Sequence, residues 1–123
     1  MLRIRIAILT LLAVALVVVA SAPAATTTLN ASVGPGFTIT LKKGTAKVKS
    51  LKAGKYTFVI SDKSSIHNFT IEREKGGPSI EKTLTGTSFQ GKKTMTVALK
   101  KGSWKYYCSN HESQIFGFFK VTC

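Results

Sequence analysis

The fold class of this chain is indicated by short segments in which apolar and polar residues alternate. Phe37 to Leu41 and Lys55 to Ile60 both alternate with a period of two, and Gly44 and Gly54 mark turns between such segments. A period of two places the apolar side chains on one face of a β-strand. Beyond the first 24 residues, no segment shows the period of about 3.6 residues that is typical of an amphipathic helix. The pattern predicts an all-β domain, either a sandwich or a barrel.

Residues 1–24 have the composition of a secretory signal peptide. Arg3 and Arg5 precede a nearly unbroken apolar run, Ile6 to Ala20, and Ala22-Pro23-Ala24 supplies a small-residue cleavage site. We therefore expect residues 25–123 to form one domain that is exported to the periplasm, the extracellular space or the cell surface. An uncleaved anchor is the alternative, because the run is about the shortest that crosses a bilayer of roughly 30 Å.

The expected mature domain is strongly basic. The chain has a formal net charge of +13, and removing Arg3 and Arg5 with the leader lowers it by two, to +11. Lysines that alternate with apolar residues are typical of the solvated, edge-protected face of a sheet. The same charge favours acidic protein partners or anionic membrane surfaces. Nucleic-acid binding is not expected, because Arg73 is the only arginine left and no recognised binding motif is present.

The side chains best suited to bind a metal are two histidines and a cysteine. His67 and His111 are the only histidines in the chain, and Cys108 lies three residues before His111. A thiolate and two imidazoles form the donor set of a trigonal His2Cys copper site. Structural zinc sites take four ligands, usually with more thiolates, and haem attachment needs a C-x-x-C-H motif that the chain lacks. The sequence therefore predicts that His67, Cys108 and His111 bind one copper ion.

The alternation also predicts where two of these ligands lie. His67 is expected on a strand, sharing its apolar face with Phe69 and Ile71, and Cys108 is expected to end a strand that begins at Trp104. A buried histidine needs a partner. A hydrogen bond within the core is the commoner reason for one, but the pairing with Cys-x-x-His favours a metal.

A disulfide between Cys108 and Cys123 is not expected. If Ile115 to Cys123 forms one strand, its ends lie roughly 26 Å apart at about 3.3 Å per residue. A disulfide requires Cα atoms within about 7 Å. Cys108 precedes the start of that strand, so the two thiols should be well separated.

These motifs resemble the cupredoxins, the blue copper proteins. The resemblance is carried by Gly34-Pro35-Gly36-Phe37, by the stretch from Ser61 to Phe69, and by Tyr106-Tyr107-Cys108-Ser109-Asn110-His111 leading to Gly117. It implies a Greek-key β-sandwich of about eight strands, with copper held near one end by His67, Cys108 and His111. It also implies that Asn68 ties the two ligand loops together by hydrogen bonds.

The position of the weak axial ligand differs from the family pattern. Cupredoxins usually carry a methionine two residues before a glycine in this loop, and counting back from Gly117 gives Ile115, which has no donor atom. With Ile115 there, the site has three ligands and a raised reduction potential, because losing a donor disfavours Cu(II) more than Cu(I). The amide oxygen of Gln114 is an alternative ligand that would lower the potential. The spacing of two residues before Gly117 favours Ile115, and not Gln114, at the axial position.

The resemblance implies one-electron transfer with copper cycling between Cu(I) and Cu(II), not catalysis, since one small domain with a single mononuclear site lacks the machinery of an oxidase. His111 is the expected exit route for electrons, and Phe116 and Phe118 are candidates for an apolar docking patch. Surrounding lysines favour a redox partner with an acidic docking surface. The protein is expected to be a monomer.

Two other functions are compatible with the sequence. A copper chaperone or buffer without electron relay is favoured by the missing axial methionine. A metal-free basic module that adheres to anionic cell-surface polymers is the third and weakest hypothesis.

Overall fold

The computed structural model of the protein describes residues 13–18 and 26–123. The predicted signal peptide, residues 1–24, lies for the most part outside these residues and stays a prediction. Residues 13–18 form neither helix nor strand. In the described parts of the chain, no helix is long and apolar enough to cross a membrane.

Residues 26–123 form a sandwich of two five-stranded sheets. The ten strands are β1 (Thr27–Val33), β2 (Ile39–Lys43), β3 (Ala46–Lys47), β4 (Ser50–Lys52), β5 (Gly54–Asp62), β6 (Phe69–Lys75), β7 (Ile80–Thr85), β8 (Gly91–Leu99), β9 (Gly102–Tyr107) and β10 (Phe116–Thr122). The first sheet has the order β3-β2-β1-β5-β8 and the second β4-β10-β9-β6-β7. The all-β prediction is confirmed, and the count exceeds eight because it includes β3 and β4, edge strands of two and three residues.

Besides the three-residue β4, two strands are not indicated by the sequence. Residues 26–32 are a polar lead-in by composition, yet β1 lies at the centre of the first sheet, parallel to β5 and antiparallel to β2. Its buried side chains, Leu29, Ala31 and Val33, alternate with polar ones. Because the polar residues make up most of the segment, its composition does not indicate a strand. β7 is an edge strand in which only Leu84 and Thr85 are buried, and too little apolar alternation marks it.

The core lies between the two sheets and combines aliphatic side chains with six aromatic rings. Phe69 stacks on Tyr106, and Trp104 stacks on Phe119, each pair with ring centroids 6.0 Å apart. Every residue of the buried hydrophobic cluster falls between positions 29 and 121. A chain that begins at Thr26 therefore contains all of the core that the described residues form.

The order and direction of the strands give the sandwich two distinct ends. The β1–β2, β5–β6, β7–β8 and β9–β10 connections meet at one end, here called the ligand end. The β4–β5, β6–β7 and β8–β9 connections and the start of β1 lie at the opposite end. His67 falls in the β5–β6 connection, and Cys108 and His111 fall in the β9–β10 connection. The topology therefore brings residues that are about forty positions apart to the same end.

Candidate metal centre

Three donor atoms converge at the ligand end. Nδ1 of His67 lies 3.1 Å from Nδ1 of His111, and Sγ of Cys108 lies 3.7 Å from the first nitrogen and 3.8 Å from the second. In a triangle with these sides, the point equidistant from all three atoms is about 2.1 Å from each, close to the metal–ligand bond lengths of imidazole and thiolate sites. The three side chains predicted from the sequence are therefore arranged so that they could share one metal ion.

The three side chains differ in exposure. Cys108 is fully buried and His67 is 1% exposed, whereas His111 is half-buried. Nε2 of His67 is buried and finds no hydrogen-bond partner within the described residues. A buried neutral imidazole without a partner is unfavourable. Its other nitrogen, Nδ1, faces the Cys108 thiol and the His111 ring, so His67 would bind a metal ion through this atom.

The strand predicted for His67 was expected to begin at Ile66 and begins three residues later. β6 starts at Phe69, and His67 lies in the preceding connection. Alternation alone does not mark that start, because Asn68 and Thr70, expected on the opposite face, are also buried. Cys108 directly follows β9, in agreement with its predicted place at a strand end.

The loop from Cys108 to Ile115 curls so that its two candidate ligands face the same point. The backbone N–H of His111 donates to the carbonyl of Cys108 at 3.1 Å, and the N–H groups of Gln114 and Ile115 both donate to the carbonyl of His111 at 3.0 Å. The N–H of Cys108 closes the loop by donating to the carbonyl of Ile115 at 3.2 Å. These bonds explain how residues only three apart present Sγ and Nδ1 to one site.

Asn68 joins the two ligand loops, as the family resemblance implies. Its Nδ2 donates to Oγ of Ser109 at 2.7 Å, and its Oδ1 accepts from the backbone N–H of Ser109 at 3.0 Å. The hydroxyl of Thr70 donates to the same Oδ1 at 2.9 Å. The backbone N–H of Asn68 points at Sγ of Cys108 at 3.4 Å. The side chain of Asn68 therefore fixes His67 relative to Cys108, and the backbone of the same residue places one donor against the thiol.

Replacing Asn68 with alanine is expected to destabilise the protein by about 2–4 kcal/mol, because it leaves the groups around Ser109 and Thr70 without a buried partner at about 1–3 kcal/mol each. Urea unfolding of the metal-free protein measures this loss. Asn110→Ala is the matched control, since Asn110 is exposed and bonds only to Thr87. Equal midpoints for the two variants would show that Asn68 does not tie the loops.

The two axial candidates lie in different environments. The side chain of Ile115 is 2% exposed, whereas that of Gln114 is exposed and lines a surface groove beside Phe116. Glu112, a further possible donor, forms an ion pair with Lys105 at 2.9 Å and lies on the same surface. Burial thus favours Ile115 at the inner position, and its assignment stays a prediction.

Phe37 is a site residue for which the sequence suggested no role. Its ring meets the rings of His67 and His111 edge to face, with both centroid distances 5.1 Å. It is 55% exposed, so it covers the histidine pair from the solvent side. In the sequence, Phe37 is marked only by its place in the Gly-Pro-Gly-Phe motif. That motif indicates a tight turn and does not indicate contact with the candidate ligands.

The surface beside His111 is partly apolar. Phe116 and Phe118 are 44% and 55% exposed, and their rings meet edge to face with centroids 5.5 Å apart. They border the same groove as His111 and Lys105. Nζ of Lys105 lies 5.2 Å from the Phe116 ring centroid. The expected apolar patch therefore exists, and its one lysine is already paired with Glu112.

Tyr107 forms the inner boundary of this surface, next to Cys108 in sequence. Its hydroxyl donates to Oε2 of Glu72 at 3.2 Å. Burial, followed by the negative charges of Glu72 and its acidic neighbours, raises the pKa of Tyr107 well above its usual range. The phenol therefore remains a protonated hydrogen-bond donor under all ordinary conditions.

The two cysteines are not joined. Cys108 is buried, and Cys123 is exposed; both thiols are free.

Comparison with known proteins gives structural matches alone. No protein-family profile and no curated protein sequence matches this chain. Reduced rusticyanin aligns with a TM-score of 0.52 and 18% sequence identity, over 77% of this chain and 78% of that one. Rusticyanin variants align with a TM-score of 0.50 and 23% sequence identity, over 77% of this chain and 76% of theirs. A structure described as the copper protein rusticyanin aligns with a TM-score of 0.50 and 22% identity, over the same shares of the two chains. Rusticyanin is a cupredoxin, and the expected cupredoxin fold is therefore confirmed.

Proposed function

We propose that this protein is an exported copper protein that transfers single electrons through one His2Cys site. The observation that carries the proposal is the convergence of Sγ of Cys108 with Nδ1 of His67 and His111, at separations of 3.1–3.8 Å. A soft thiolate with two imidazoles in a trigonal array is the donor set of blue copper sites. When bound, copper would supply a one-electron couple between Cu(I) and Cu(II).

The protein's own contribution is a ligand frame that changes little between the two oxidation states. Asn68 holds the two loops together, and the backbone bonds from Cys108 to Ile115 fix the curl of the second loop. Phe37 covers the two histidine rings from solvent. Since both loops are tied in place, loss or gain of an electron would require little rearrangement of the ligands.

His111 is the proposed route by which electrons leave. It is the only one of the three donors with substantial exposure, and it borders the surface that carries Phe116 and Phe118. That patch would give a redox partner a short-range apolar contact. The net positive charge of the whole domain would favour a partner with an acidic docking surface, with association that weakens as salt screens the charge.

The proposal is tested by loading the metal-free protein with Cu(II). We expect one equivalent to produce intense visible absorption from thiolate-to-copper charge transfer and an EPR signal, both of which disappear on reduction and return on reoxidation. Zn(II) is the control, because it fills the same site without colour. A protein that binds one Cu(II), is not reduced, and stays colourless would contradict the proposal.

A copper chaperone or buffer is the second candidate, since Ile115 offers the site no fourth donor. The two functions differ in how firmly copper is held. An electron carrier is expected to keep its copper through many redox cycles in the presence of a Cu(I) chelator. A chaperone would release Cu(I) to the same chelator within the first cycle.

A further inference from the structure

We propose that the end of the sandwich opposite the ligand end binds an anionic lipid membrane and so directs the candidate metal centre away from it. Seven exposed lysines, here called the basal lysines, lie at that end. They are Lys49, Lys52, Lys55, Lys75, Lys100, Lys101 and Lys120. The proposal concerns only the charge and topology of the domain and does not depend on the identity of the metal.

The topology gathers these lysines from distant parts of the chain. Lys75 pairs with Ser103 across β6 and β9, and Ser103 pairs with Lys120 across β9 and β10. Lys52 pairs with Thr122 at the last position of β10. The turn between β8 and β9 adds Lys100 and Lys101. The basal lysines are dispersed along the sequence and become a cluster only in the fold.

Little negative charge offsets this cluster. Of the five acidic residues in the chain, Glu74 lies at this end next to Lys75, and Glu81 lies one residue into β7, which begins there. Within residues 26–123 the single ion pair joins Lys105 and Glu112, and it involves no basal lysine. Uncompensated lysines on one face produce a positive potential that attracts an anionic surface.

A groove at this end has the size and charge to receive a lipid headgroup. It has a volume of about 390 Å³ and is lined by three basal lysines, Lys49, Lys75 and Lys120, by one acidic residue, Glu74, and by Ser103, Trp104, Phe118 and Phe119. The lysines offer cationic donors for a phosphate, and the serine hydroxyl offers a further one.

If the apolar run is retained as the uncleaved anchor described above, the path of the chain favours a membrane over other anionic surfaces. β1 runs parallel to β5 and begins at the basal end, so the chain enters the domain there. The apolar run Ile6 to Ala20 precedes β1 by only a few residues. An extended segment from Ala20 to Thr27 reaches about 25 Å at most. A domain held near a bilayer through that run would meet it with the basal lysines first.

The test measures binding of metal-free residues 26–123 to vesicles of phosphatidylcholine with 30% phosphatidylglycerol, by flotation at low and at physiological salt. The triple variant Lys52→Gln, Lys100→Gln, Lys101→Gln removes three basal lysines. Each lysine at an anionic surface contributes roughly a fivefold increase in partition. We therefore expect the variant to bind about 100-fold more weakly, and neither protein to bind neutral vesicles.

The matched control removes the same charge from the ligand end, by Lys63→Gln, Lys92→Gln and Lys93→Gln. We expect binding of this variant to the anionic vesicles to weaken by less than about fivefold, against about 100-fold for the basal variant. Trp104, the only tryptophan in the chain, lies beside Lys100 and reports orientation. We expect the efficiency of energy transfer from Trp104 to a dansyl-labelled headgroup to be the same for the vesicle-bound wild type and the ligand-end variant, because both should bind through the basal end.

Three results would overturn the proposal. Equal losses from both triple variants would mean that net charge, and not the basal end, drives binding. Equal binding of wild type to anionic and neutral vesicles would exclude an electrostatic membrane contact. Preference for a soluble anionic polysaccharide over anionic vesicles, at matched charge, would assign the basal lysines to a polymer instead. Because the protein is metal-free throughout, none of these results bears on the copper function.

Discussion

Replacing Cys108 with serine is expected to abolish the visible absorption of the copper-loaded protein and to weaken copper binding by far more than 100-fold. Changes to groups that merely orient metal ligands cost about 10- to 100-fold in affinity. Cys108 is expected to be a direct ligand, and among residues 26–123 its Sγ is the only sulfur near the two histidine nitrogens. The serine hydroxyl is nearly the same size, but it is not ionised at neutral pH and provides no thiolate charge transfer.

The chain supplies its own control for this experiment. Cys123→Ser removes the only other cysteine, which is exposed and free. We expect that variant to keep the colour, the copper stoichiometry and the unfolding midpoint of the wild type. Absorption spectra and competition with a copper chelator measure both variants. Retention of the band in Cys108→Ser, or its loss in Cys123→Ser, would show that the thiolate of the site has been misassigned.

The candidate ligands could be predicted from the sequence because the residue types involved are rare in this chain. With two histidines and two cysteines, few combinations of soft and imidazole donors exist, and the spacing of Cys108 and His111 selects one of them. The buried faces of β5 and β9 were also predictable, since Phe58 and Trp104 alternate with more exposed neighbours. Such features depend on local chemistry, which a sequence displays directly.

Features that depend on pairing between distant segments were not predictable. β1 was hidden because its partners, β2 and β5, supply the hydrogen bonds that a polar segment needs to become a central strand. Phe37 received no role because its contact with both histidines exists only after three connections meet. The basal lysines appear dispersed for the same reason. Their clustering follows from strand order and direction, which composition does not encode.

Replacing Ile115 with methionine is expected to lower the reduction potential of the copper-loaded protein by at least about 60 mV, which is a tenfold change in the relative affinity for Cu(II) and Cu(I). Ile115 is buried beside the ligand loop, and its N–H bonds to the carbonyl of His111. A thioether there would add a weak axial donor that stabilises Cu(II) more than Cu(I). Methionine is close to isoleucine in volume, so the core should accept it at a cost below about 1.5 kcal/mol.

Gln114→Ala is the matched control, and it decides between the two axial candidates. Gln114 is exposed and faces the surface groove, so its removal should leave the visible spectrum and the potential unchanged. Redox titration of the visible band gives the potential of wild type and of both variants. A shift to higher potential in Gln114→Ala, with none in Ile115→Met, would reverse the assignment, because it would mean that the amide oxygen already binds copper and that position 115 does not face it.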